Sequence, residues 1–224
     1  MTMLSNLELI RRVPLFSTLT QAQALAVAKA VNKRRFKRGE AIVERGKKTN
    51  TLFILLSGRA RVVTSDGKKR EIILATLQPG SHIGEMSLID NQPHSATVRA
   101  ERQTDVLMLS GEEFARCLPE NPSMVYTILC GLVQRLRQAD LKIESLALMD
   151  VYGRVARALL EFAVDSGEGQ LLIREKISRQ DIAKMVGASR EMVSRVMKDL
   201  QGRGLIEPQE DGSILIKDQL TAVE

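Results

Sequence analysis

Residues that most enzymes are built around are scarce in this chain. Its 224 residues hold two histidines, His82 and His94, and two cysteines, Cys117 and Cys130. Two imidazoles leave little acid–base machinery, and no Walker loop, zinc-hydrolase motif or serine elbow is present, so the sequence predicts a protein that is not an enzyme. Two thiols are too few for a four-thiolate iron–sulfur cluster. In a reducing compartment such a pair reads as small hydrophobes rather than as a disulfide. His82, Glu85 and His94 carry metal-ligating chemistry, but their spacing alone is a weak metal signature, so no metal is expected. No apolar run approaches the length of a membrane span, and residues 1–12 lack the hydrophobic core of a secretory signal. A cytoplasmic location without a membrane partner is the expectation.

What is present is ample core, with 44% hydrophobic residues, enough for one or two domains. The net charge of +6 is unevenly spread: residues 151–224 carry a net −1 and the remainder +7. The most basic run, Lys33-Arg34-Arg35-Phe36-Lys37-Arg38, lies in the first half and reads as solvated surface.

The second half carries the sharpest pattern. Ile182 and Ala183 repeat at helical intervals with Val186, and Val193, Val196, Met197 and Leu200 form a second apolar stripe. Ser178 and Ser189 precede the stripes as N-caps, and Gly187 supplies the positive φ at which the first helix stops. Two stripes joined by such a turn predict a helix-turn-helix. Arg190, Glu191, Ser194, Arg195 and Lys198 fall on or near the face opposite the second stripe. Guanidinium donors match the O6 and N7 acceptors of guanine, and a carboxylate accepts from the cytosine amino group, so this face predicts contact with double-stranded DNA in its major groove. After it, Asp211-Gly212 between the apolar runs Gly204-Leu205-Ile206 and Ser213-Ile214-Leu215-Ile216 is a hairpin signal.

From Ile177 to Ile206, with Asp150-Val151-Tyr152-Gly153-Arg154 ahead, the chain resembles the DNA-binding domain of the Crp-Fnr family, to which the cyclic AMP receptor belongs. The resemblance implies base contacts by Arg190, Glu191 and Arg195 on a TGTGA-type half-site, with Ser189, Ser194, Lys198, Ser178, Arg179 and Gln180 at the same interface. It implies a β-wing over the hairpin and contact with RNA polymerase through the loop from Asp165 to Gln170. The cysteine count excludes an oxygen sensor of the Fnr kind.

Between Phe36 and Leu109, short apolar runs alternate with turns: residues 51–56, 60–63, 72–77, 97–100 and 106–109. This predicts an antiparallel barrel or roll. Within it, Gly80-Ser81-His82-Ile83-Gly84-Glu85-Met86-Ser87-Leu88 and Pro93-His94-Ser95-Ala96-Thr97-Val98 resemble the phosphate-binding cassette of cyclic-nucleotide-binding domains. The resemblance makes Gly84, Glu85, Met86, Ser87, His94 and Ser95 candidate ligand residues, with Glu85 on a ribose hydroxyl and Ser95 on the cyclic phosphate. His94 stands where the family's binders carry arginine, and a neutral imidazole offers one donor and no charge in place of a charged fork. Ala139 and Asp140 stand where the cyclic AMP receptor carries a threonine and a serine on the adenine. Ordinary cyclic AMP binding is therefore disfavoured. A weakly held cyclic mononucleotide, the larger cyclic di-GMP and an empty pocket stay open, with cyclic di-GMP narrowly ahead. Arg59, Arg61, Arg70 and Arg99 are the arginines available to such an effector, and no tightly bound cofactor is expected.

From about Pro122 to Met149, Val125, Ile128, Leu132, Leu136, Ala139, Ile143 and Leu146 are spaced three, four, four, three, four and three apart, close to a coiled-coil seam. A palindromic DNA site and the family resemblance favour a parallel homodimer through it. The expected architecture is α+β: a β-roll sensor over residues 1–120, a dimerisation helix over 121–149 and a winged helix-turn-helix over 150–224. A nucleotide-binding module that does not act through DNA, and a regulator needing no ligand, are the rival readings.

Overall fold

The computed structural model describes residues 5–67, 70–117, 121–165, 171–217 and 220. The chain divides into two compact units, residues 1–136 and 137–224. The first opens with α1 (Asn6–Arg12), a short 3₁₀ turn and α2 (Gln21–Ala30). Both helices begin with reciprocal capping boxes, Ser5 with Glu8 and Thr20 with Gln23, which satisfy backbone donors that the first turn leaves unpaired.

Eight strands follow: β1 (Asn32–Phe36), β2 (Ala41–Val43), β3 (Thr51–Ser57), β4 (Ala60–Ser65), β5 (Glu71–Leu77), β6 (His82–Ile83), then α3 (Glu85–Asp90), β7 (Thr97–Ala100) and β8 (Thr104–Ser110). They pair antiparallel into two four-stranded sheets, β1-β8-β3-β6 and β2-β7-β4-β5. All five strands expected from the apolar runs are present. The basic run forms β1, an edge strand whose exposed Arg35 forks onto Asp105 of β8 at 2.6 and 3.0 Å. Charged side chains on such an edge discourage pairing with another chain.

β3 explains why its sequence does not alternate. Phe53 and Leu55 enter the core between the sheets with Phe36, Val98 and Val106, whereas Leu52 and Ile54 enter a second core under the helices with Ile10, Phe16, Val27 and Leu109. A strand buried on both faces has no solvent side to mark with polar residues. At about 2 kcal/mol for each buried large aliphatic side chain, β3 is a principal anchor of this unit.

α4 (Gly111–Cys117) precedes α5 (Pro122–Leu148), a 27-residue helix. Met124 and Ile128 are buried in the core beneath α1 and α2, and Leu132 is half-buried against it. This corrects the expected seam in part: Ile128 and Leu132 face the roll, whereas Val125, Leu136, Ala139, Ile143 and Leu146 are exposed. Tyr126, Leu129 and Val133 are exposed beside them. The helix carries two apolar stripes side by side, and spacing alone merged them.

The second unit holds α6 (Val151–Phe162), β9 (Val164–Asp165), β10 (Leu171–Ile173), α7 (Arg179–Val186), α8 (Arg190–Gly202), β11 (Ile206–Pro208) and β12 (Ile214–Ile216). Val155, Leu159, Ile182, Val186, Val193, Leu200, Ile206 and Ile216 form its core. The β11–β12 hairpin is the expected wing, extended by β10 and β9 into the sheet β11-β12-β10-β9. In the loop expected to meet RNA polymerase, residues 166–170 lie outside the described residues.

Candidate nucleic-acid interface and nucleotide cassette

Ser178 accepts from the Asp181 N–H at 3.0 Å and caps α7; Ser189 accepts from the Met192 N–H at 3.2 Å and caps α8. Between them Gly187 ends α7 at φ 66° with its N–H on the Ala183 carbonyl. Arg154 of α6 fixes this junction, because its Nε donates to the Val186 carbonyl at 3.0 Å and its Nη1 to the Met149 carbonyl at 2.9 Å. Carbonyls at a helix end lack intrahelical donors, and a guanidinium fills that role while complementing the helix dipole.

With Val193, Met197 and Leu200 buried, α8 turns Arg190, Glu191, Arg195 and Lys198 outward, and Ser194 is half-buried at the margin. Ser178, Arg179 and Gln180 are exposed at the start of α7. Asp199 is engaged by Arg203 at 2.9 Å, whereas Arg190, Arg195 and Lys198 form no salt bridge among the described residues. Backbone donation at Glu191 and the Ser189 hydroxyl hold the Glu191 carboxyl below the usual carboxylate range, so it stays a charged acceptor. The surface therefore presents three unpaired cations around one carboxylate on a rigid helix, the donor and acceptor types that read base edges and phosphates.

In the first unit, Gly84 joins β6 to α3 at φ 93°, and a Cβ there would stand 2.7 Å from the Thr51 carbonyl oxygen. Only glycine satisfies both conditions. Next to it, Glu85 is 1% exposed; one carboxylate oxygen accepts from Arg135 of α5, and Oε2 is buried without a partner. Arg135 also donates to the His82 carbonyl at 2.5 Å. Burial pushes the Glu85 carboxyl upward, against the opposing pull of Arg135. The His82 ring lies against α5, where a Cβ on Gly131 would stand 2.8 Å from Cε1, and its Nε2 is buried without a partner. Burial, reinforced by the Arg135 charge, pushes the His82 imidazole down to about 4.

His94 is buried with Nε2 2.9 Å from the Thr49 hydroxyl, and burial lowers its imidazole too. Ser95 and Met86 are exposed, while the buried Ser87 donates to the Gln92 carbonyl at 2.6 Å and closes the turn after α3. The cassette thus gathers Gly84, Glu85 and His94, with Arg135 as the residue that sequence reasoning missed. A signal for it existed: Ile128, Leu132 and Arg135 repeat four and three residues apart along the face that packs on the roll. Ala139 and Asp140 are exposed on α5 in the second unit. The arginines considered for a larger effector are already matched with carboxylates: Arg59 and Arg61 with Glu101, Arg70 with Asp66 at 2.7 Å, and Arg99 with Glu71 at 3.2 Å. Among the described residues no three His, Cys, Asp or Glu side chains converge to hold a metal, and no helix is long and apolar enough to cross a membrane.

A two-sheet roll bearing a helix-capped glutamate cassette, carried on the same chain as a winged helix-turn-helix, defines a class of sensor-linked DNA-binding proteins. Residues 33–121 match the family described as cyclic nucleotide-binding domain, and residues 153–220 the Crp-like helix-turn-helix domain. The chain is 34% identical over 184 residues to the cAMP-activated global transcriptional regulator Vfr of Pseudomonas aeruginosa, covering 78% of this chain and 85% of that protein. It is 34% identical over 168 residues to the cAMP-activated global transcriptional regulator CRP of Escherichia coli, covering 74% and 80% respectively. Its fold is similar to that of CLP, the c-di-GMP responsive global regulator of Xanthomonas campestris, at a TM-score of 0.77 and 26% identity over 88% of this chain and all of that one. The chain belongs to the Crp-Fnr family of transcription regulators.

Proposed function

We propose that this chain is an effector-responsive, sequence-specific regulator that binds an inverted repeat of TGTGA-like half-sites as a homodimer in the cytoplasm and has no enzymatic activity. Residues 1–120 serve as sensor, 121–149 as dimerisation helix and 150–224 as DNA reader. The observation that carries this reading is the outward face of α8, where Arg190, Glu191 and Arg195 stand exposed opposite a fully buried stripe. Those three side chains contact base edges, and Ser178, Arg179, Gln180, Ser189, Ser194 and Lys198 fix the helix against backbone and neighbouring bases. RNA polymerase meets the loop from Asp165 to Gln170.

The effector is a cyclic nucleotide held by the cassette. Supporting this, the buried and unpartnered Oε2 of Glu85 is an acceptor suited to a ribose hydroxyl. With His94 in place of a fixed cation, and Ala139 and Asp140 replacing hydroxyls, cyclic di-GMP is preferred to cyclic AMP. One observation favours a second reading, a regulator that needs no ligand: Arg135 already occupies the other oxygen of Glu85.

DNA-retardation titrations with and without cyclic AMP, cyclic GMP and cyclic di-GMP test reader and effector together. The expected outcome is selective retardation of the inverted repeat, altered by one nucleotide. Equal retention of scrambled DNA rejects the reader, and indifference to all three nucleotides rejects the effector.

A further inference from the structure

Between Val151 and Ile216, Val164 and Met192 are the large apolar side chains left exposed among the described residues. Met192, 44% exposed, stands in the first turn of α8, next to Glu191 and one turn before Arg195, outside the core that Val193, Met197 and Leu200 join. Local helix physics asks for a different residue there. The third position after a serine or threonine cap favours Glu or Gln, which reaches back to the N–H of the cap, and an acidic side chain there meets the positive end of the helix dipole. The chain follows that rule elsewhere: Glu8 in α1, Gln23 in α2, Glu113 in α4 and Asp181 in α7 hold the place after Ser5, Thr20, Ser110 and Ser178. In α8 the place belongs to Met192, whose N–H donates to the Ser189 hydroxyl at 3.2 Å. Neither the core nor the helix start accounts for a methionine at this point.

We propose that Met192 is a further specificity-determining residue, whose thioether chain packs on the C5-methyl of a thymine in the half-site. The inference rests on the reading above, in which the outward face of α8 enters the major groove. Along that groove the base edges offer donors and acceptors, and the thymine methyl is the apolar group among them. Residues at the start of a recognition helix are the ones that reach base edges. An unbranched thioether adapts to a methyl without demanding one fixed geometry. The Glu that would complete a capping box here would instead bring a negative charge toward the phosphate backbone. On this reading Arg190, Glu191 and Arg195 hydrogen-bond to guanine and cytosine, and Met192 adds the apolar contact that distinguishes thymine.

The test is fluorescence anisotropy of the full chain on the inverted repeat, in the nucleotide condition that gives the tightest retardation, with each thymine in turn replaced by deoxyuridine in both half-sites. Deoxyuridine keeps the base pair and lacks only the methyl. For the wild type, one of these replacements should weaken binding roughly fourfold per half-site, the effect of returning one buried methyl to water. Met192→Ala and Met192→Gln should bind the thymine site more weakly by a similar factor and lose no further affinity on deoxyuridine DNA, whereas Arg190→Ala should keep the methyl preference. Met192→Gln also completes the capping box with Ser189, so it removes the preference with the helix start intact. If the wild type selects the repeat but is indifferent to every deoxyuridine, or if both Met192 variants keep its methyl preference, the inference is overturned and the reader stands. If the wild type holds scrambled DNA as tightly as the repeat, the reader itself fails, and this inference with it.

Discussion

At the scale of single residues, the reader and the cassette respond to different chemistry. Removing the Arg190 guanidinium takes away paired donors, so Arg190→Ala should cost about 1 to 3 kcal/mol and flatten the preference at one base pair. Fluorescence anisotropy on sites carrying each single base-pair change checks this, and uniform weakening across sites would contradict base reading by Arg190. In the first unit, Gly131 exists to admit His82. Gly131→Ala places a methyl 2.8 Å from the imidazole Cε1, an overpacking change expected to destabilise by about 1 to 3 kcal/mol in urea unfolding. Combining it with His82→Ala should return most of that loss, because the two side chains compete for one space. Arg190 was legible from the sequence because a helix face needs only periodicity to define it. Arg135 and the His82–Gly131 contact were not, because they join residues about fifty positions apart.

Among elements, α8 depends on its first turn. Ser189 closes one of the orphan donors there, so Ser189→Ala should lower the stability of the second unit by about 1 kcal/mol, whereas Ser189→Asp should keep the cap. Chemical denaturation followed by circular dichroism distinguishes the two variants. Both helices of the reader begin and end where their caps and Gly187 place them, since capping acts within a few residues and leaves a local mark. α5 is the contrasting case. Its apolar residues exceed one stripe, and nothing local says which of them meet the roll, so the expected seam mixed Ile128 and Leu132 of the packed face with residues of the exposed row.

On the scale of the whole molecule, charge governs what is measurable. On the proposed reading, in which Arg190, Arg195, Lys198 and Arg179 meet the DNA, binding releases counterions, so the logarithm of the affinity should fall linearly with that of salt. Lys198→Ala should reduce the slope by about one per monomer. A slope that Lys198→Ala leaves unchanged would place that side chain away from phosphate. Stability should also depend on pH through His82. Its folded imidazole titrates at about 4 against an ordinary value of 6.5, so the unfolded chain binds more protons between these values. Stability contributed by the neutral ring is complete above pH 6.5 and declines as pH falls toward 4, by about 3 kcal/mol if His82 acts alone. The raised carboxyl of Glu85 works the other way, favouring the folded state as acid protonates it, so His82→Phe should flatten or reverse the acid loss in melting temperature. An unchanged slope in His82→Phe would assign the loss to other groups. By itself the sequence determined the helix-turn-helix, its caps, the wing hairpin, the strands of the roll and the outward chemistry of α8, because periodicity, capping and turn preferences act over a few neighbouring residues. Only the tertiary structure decided which stripe of α5 packs on the roll, that Arg135 closes on Glu85, and that Arg59, Arg61, Arg70 and Arg99 are matched by carboxylates. Those outcomes depend on which distant side chains share a buried volume, and linear spacing does not encode that volume.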